Sequence, residues 1–128
     1  MTTSISTHGV VLFAHGSRDP LWHKPMEAVA AAIALTEPDI PVVCAYLELS
    51  SPDLFTACAN LLAQGVRRIT VVPMFLGVGR HAREDLPLLM VEMKQKHPDV
   101  FFALRPAVGE DPRLVELLAK IALEGASQ

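Results

Sequence analysis

The sequence predicts a doubly wound α/β domain: a parallel sheet covered by helices on both faces, three layers in all. Three observations carry this. Four short runs, 9–16 (GVVLFAHG), 41–49, 67–75 and 99–106, are apolar at consecutive rather than alternate positions, as strands buried on both faces must be. Helical patterns follow each run. Apolar residues make up 51% of the chain but aromatics only 5%, so the core is aliphatic, which suits helices packed on a sheet.

The first helix is expected over 25–36 (PMEAVAAAIALT), because Pro25 suits a first turn and would break an interior; the preceding DPLWHK is a loop or separate turn. The second, 51–65, carries Ser51 as N-cap, Pro52 at the first helical position and Gly65 just past the end. The third is expected near 86–96, with Asp85 as N-cap and Pro87 in the first turn. The last, 111–125, repeats the Asp-Pro start and the glycine stop.

A (βα)₄ chain with right-handed crossovers favours the flavodoxin-like strand order 2-1-3-4. That order sets strands 1 and 3 side by side at the switch point, where ligands bind beyond the carboxyl ends. With 128 residues and no linker, a single domain is expected over 1–128, its core at about 9–124. Four strands leave a sheet edge to protect, which points to dimerisation.

Composition excludes some functions. A net charge of -3 does not suit a general nucleic-acid binder. The N-terminus (MTTSISTHGV) lacks the apolar stretch of a secretory signal, and no run approaches the roughly 20 residues of a membrane span, so a cytoplasmic protein is expected. Cys44 and Cys58 lack zinc-type spacing and read as small buried hydrophobes.

Three side chains stand at strand ends: His15 after strand 1, Glu48 at the end of strand 2 and His81 after strand 3. In the 2-1-3-4 order they share one end of the sheet. Two imidazoles and a carboxylate there suit a divalent transition metal, and they suit proton removal near neutral pH. Each has a plainer reading too: a solvated loop histidine, or a glutamate bonding the next helix. His23 lies in the loop with Trp22, from where it could reach the cleft, while His8 and His97 carry no expected role. Gly77 and Gly79 form only G-x-G, a weak nucleotide signal; they permit unusual backbone angles and leave little bulk, suiting a flat ligand. Phe75, Leu76 and Val78, with Met74, form an apolar wall beside them. Arg18, Arg80 and Arg83 flank the histidines, either as solvated charge or to bind ligand carboxylates or phosphates.

The segments LFAHGSRDP, AYLELSSPDL and GVRRITVVPMFLGVGRHAREDLP together resemble the small, single-domain sirohydrochlorin cobaltochelatases, which are class II tetrapyrrole chelatases. The resemblance runs from about residue 9 to 120. It implies the chelatase-like fold and ATP-independent insertion of a divalent metal into sirohydrochlorin. That metal is cobalt on the way to cobalamin, or iron or nickel in related enzymes. It implies no nucleotide cofactor, and a homodimer for this short form, longer relatives resembling two such domains fused. It carries over His15 and His81 as the metal-binding and catalytic pair, with Glu48 as an acidic helper. Arg80 departs from the family, which often has a small residue there. Two rivals stay open: a phosphohydrolase or mutase using His15 as phosphoryl acceptor, and a non-catalytic metal or tetrapyrrole carrier.

Overall fold

The computed structural model describes residues 7–126. Four strands, β1 (His8–Ala14), β2 (Val42–Tyr46), β3 (Arg68–Pro73) and β4 (Phe101–Leu104), form one parallel sheet in the order β2-β1-β3-β4. The expected strand order and layering are present. β1 lies at the centre, with Val11 opposite Val43 on one side and Val71 on the other. From Val11 to Ala14 every β1 residue is buried, so both of its faces are covered.

The two faces differ. Helices α2 (Leu54–Ala63) and α3 (Arg80–Lys96) cover one, packing Cys58, Leu61, Met90 and Met93 against Phe13, Ile69 and Val71. Helix α1 (Lys24–Thr36) covers part of the other, where Met26 meets Leu12, Ala14 and Tyr46. Helix α4 (Pro112–Ala126) buries none of its residues. Val115, Leu117, Ile121 and Leu123 are each more than half exposed on it. No helix among the described residues is long and apolar enough to cross a membrane.

Three helix boundaries differ from expectation. The N-cap of α2 is Asp53, not Ser51: its carboxylate accepts from the Thr56 amide at 2.8 Å, and the preceding Ser51–Pro52 bond is cis. Gly65 does close this helix in a left-handed conformation (φ 94°), as expected. Helix α4 runs through Gly125 to Ala126 instead of stopping at the glycine.

Helix α3 begins at Arg80, well before the expected start at Asp85, and holds Pro87 inside. An interior proline costs about 3 kcal/mol. Against this, the extra turns bury Ala82 and Leu86 on the face that continues through Met90 and Met93, and a buried leucine alone returns roughly 1.5–3 kcal/mol. Packing on the sheet therefore overrides the local signal.

Candidate active site at the carboxyl edge of the sheet

The carboxyl ends of β1, β2 and β3 bring the first candidates together through backbone. The β1–β2 ladder continues beyond both strands: the Leu47 amide donates to Ala14 O and the Glu48 amide to His15 O, each at 2.9 Å. His15 and Glu48 are thus neighbours on adjacent chains, both exposed. Gly16 makes this possible. Its φ is 106°, and a Cβ there would lie 1.8 Å from Glu48 O. No other residue fits between the two loops.

A polar brace locks the same loops. The Ser50 hydroxyl accepts from the Ser17 amide at 3.0 Å and donates to the Ser17 carbonyl at 2.7 Å. His23 Nε2 lies 3.0 Å from that carbonyl, which only accepts, so Nε2 carries the proton. The His23 ring also meets Tyr46 edge-on at 4.9 Å. His23, which sequence left as able to reach the cleft, is therefore a positioning residue. It sits where a 3-10 turn at Pro20–His23 joins α1. Leu49, at the tip of this braced turn, holds φ 64°, a left-handed conformation uncommon for leucine.

Phe75, just past β3, is buried and packs edge-on against Phe13. The His15 ring lies over it at 4.3 Å between centroids, 31° from coplanar. One face of His15 is thus seated on an aromatic floor while the residue stays exposed. The loop after β4 supports that floor: the Gly109 amide donates to Phe75 O at 2.9 Å, and a Cβ on Gly109 would lie 1.7 Å from Leu76 O. Leu76 is 68% exposed and Val78 partly buried.

The glycine turn differs from expectation in one respect. Neither Gly77 nor Gly79 has a positive φ, so conformational freedom is not what this turn uses. A Cβ at either would meet nothing within 4 Å, so their small size leaves open space above the edge. Gly79 caps α3 without a side-chain bond. The first amides of α3 therefore keep their positive potential at this end of the helix. His81 is exposed in that first turn of α3, rather than in a loop before it.

The arginines separate. Arg80 Nε donates to Glu84 at 3.1 Å, with both side chains largely exposed; such a pair contributes little. Arg18 is exposed beside the braced loop. Arg83 lines a cleft of about 170 Å³ between α3 and β4. A larger cleft, about 390 Å³, is lined by Val72, Pro106, Asp111 and Arg113 among others. Arg105 lines both, and sequence reasoning did not single it out although LRP ends strand 4 as AHG ends strand 1. The Ser17–Ser50 brace left no signal of its own in the sequence.

Among the described residues no three His, Cys, Asp or Glu side chains are grouped to hold one ion. What the edge offers is two exposed imidazoles, one on the loop after β1 and one in the first turn of α3, a carboxylate beside the first, and an apolar floor. Burial pushes the Cys58 thiol up to about 12 and raises that of Cys44, so both favour the protonated thiol near neutral pH.

Fold and edge together define the chain as a four-stranded, doubly wound α/β protein with exposed imidazole and carboxylate side chains at its switch point. The CbiX family profile matches residues 9–124, and the chain belongs to the CbiX family. It is 33% identical over 82 residues to the sirohydrochlorin cobaltochelatase of Methanothermobacter thermautotrophicus, covering 64% of this chain and 57% of that protein. It is 32% identical over 122 residues to that of Saccharolobus solfataricus, covering 88% and 91%. The chain thus spans little more than half of the first relative and nearly all of the second. Among solved structures, the CbiX protein of Marinobacter aquaeolei superposes with a TM-score of 0.81 at 33% identity, covering 94% of this chain and 98% of the other. SirB from Bacillus subtilis with ferric iron gives 0.70 at 26% identity, covering 85% of this chain but 43% of SirB. A cobalt complex of the sirohydrochlorin chelatase SirB shares the fold at 0.72 and 24% identity.

Proposed function

We propose that this chain, as a single domain, inserts a divalent metal ion into sirohydrochlorin without ATP, with cobalt as the physiological metal. The carrying observation is His15: exposed, seated on Phe75, and backbone-bonded to the Glu48 segment at the end of the sheet where His81 also stands. The names of the relatives support the substrate and cobalt. SirB structures holding cobalt and ferric iron support a site not restricted to one metal, and imidazole ligands suit cobalt, iron and nickel alike.

In the proposed sequence His15 and His81 hold the hydrated cation over the ring. As metal–imidazole bonds give way to bonds with the pyrrole nitrogens, two pyrrole protons leave. A freed imidazole nitrogen accepts one and Glu48 the other, and both pass to water. The dication and the doubly deprotonated ring give a chelate with no change of oxidation state. Leu76 and Val78, with the open space over Gly77 and Gly79, form the apolar bed for the flat ring. Arg18, Arg80 and Arg83 face the ring's carboxylates, Arg80 by exchanging Glu84 for substrate.

The protein acts as a cytoplasmic homodimer in this reading. Its uncovered α4 face, and the roughly doubled length of SirB, support a second copy completing the molecule. The test is cobalt insertion into sirohydrochlorin followed by visible absorbance. His15→Ala and His81→Ala are each expected to lower kcat/KM by roughly 10²-fold or more. Wild-type rates in both would overturn the assignment. Metal bound stoichiometrically without acceleration would make the protein a carrier.

A further inference from the structure

We infer that the cleft between α3 and β4 is a binding site for one carboxylate arm of the substrate, with Arg105 as a substrate-recognition residue alongside Arg83. The inference deepens the chelatase reading and rests on it. The cleft measures about 170 Å³, below the roughly 300 Å³ at which pockets take whole drug-sized ligands. It suits a short aliphatic chain, not a macrocycle. Its walls are apolar: Pro73, Val78, Leu86, Leu104 and Ala107. The charged residues lining it are Arg83, Arg105 and Glu110, which leaves an excess of one positive charge. An aliphatic stem ending in a carboxylate matches both parts of this lining, and a guanidinium fork recognises a carboxylate by paired hydrogen bonds.

The two arginines are available. Among the described residues neither guanidinium takes part in a hydrogen bond or ion pair, whereas Arg80 is held by Glu84 and Arg113 by Asp111. Arg105 does lie near enough to Asp111 to help lower its carboxyl, but Arg113 is the larger cause of that shift. The base of Arg105 is rigid: its amide donates to Val71 O at 2.9 Å, extending the β3–β4 ladder. Placement fits as well. β4 is two strands from β1, on the order of 10 Å at the usual strand spacing, so a ring centred near His15 reaches this cleft with a peripheral arm.

The experiment titrates the full-length protein with metal-free sirohydrochlorin, by absorbance or fluorescence, beside steady-state metallation. Arg105→Gln is expected to raise Kd and KM roughly tenfold, with a much smaller change in kcat. Arg105→Lys is expected to fall between it and wild type. Arg67→Gln, at the opposite end of the sheet, removes the same charge and is expected to leave Kd unchanged. Wild-type affinity in both Arg105 variants would overturn the inference, and so would an equal loss in Arg67→Gln, which would mean non-specific attraction. A wild-type protein that neither binds nor metallates sirohydrochlorin would overturn the chelatase reading itself.

Discussion

At the scale of single residues, Gly16 has the tightest surroundings at the edge. Its left-handed φ and its approach to Glu48 O are separate demands, and alanine violates both. Gly16→Ala is expected to cost on the order of 2 kcal/mol or more in chemical denaturation, and to lower metallation by separating His15 from Glu48. Unchanged stability and activity would show that the loops have slack that the geometry does not reveal. The three strand-end candidates were legible in sequence because a parallel sheet delivers strand ends to one side, and an exposed polar residue after an apolar run stands out. The His15–Phe75 stacking and the Ser17–Ser50–His23 brace were not, since they join residues 60, 33 and 27 positions apart in the chain. Nothing local in AHG or SSP encodes those pairings.

At the scale of elements, caps and packing compete. Asp53 caps α2, and its carboxyl is held below the usual range by the Thr56 amide, with a smaller contribution from the Thr56 hydroxyl. Asp53→Ala is expected to destabilise by about 1 kcal/mol near neutral pH. A depressed carboxyl stabilises the folded state above its unfolded value near ~4 and loses that contribution as the pH falls through its own lower value. The gap between variant and wild type in denaturant midpoint is therefore expected to shrink on acidification below about pH 4. A gap independent of pH would mean that the cap does not act through its charge. Sequence placed α2 well but misjudged its cap, because Ser51 and Asp53 both satisfy the N-cap rule and it is the Asp53 carboxylate that meets the Thr56 amide. The early start of α3 was hidden by Pro87, whose local cost is outweighed by burying Ala82 and Leu86.

At the scale of the whole molecule, the sheet is clothed unevenly. Two helices seal one face, while α1 covers part of the other and α4 carries its apolar residues into solvent. A helix that exposes this many large apolar side chains marks an association surface. If a second copy covers it, Ile121→Asp is expected to convert a dimer into a monomer in light scattering at micromolar concentration, with the far-ultraviolet circular dichroism retained. A wild-type protein that is already monomeric would dismiss the homodimer. The strand order, the parallel layering and the three strand-end side chains were readable from the residues alone, because hydrophobic periodicity and the handedness of crossovers are local or nearly so. Packing across the fold set where α3 begins, which histidine braces the loops and which is presented, and that Arg105 shares a cleft with Arg83. Those outcomes depend on contacts between segments far apart in the chain, where burial and hydrogen bonds made across the fold add to or outweigh local preference.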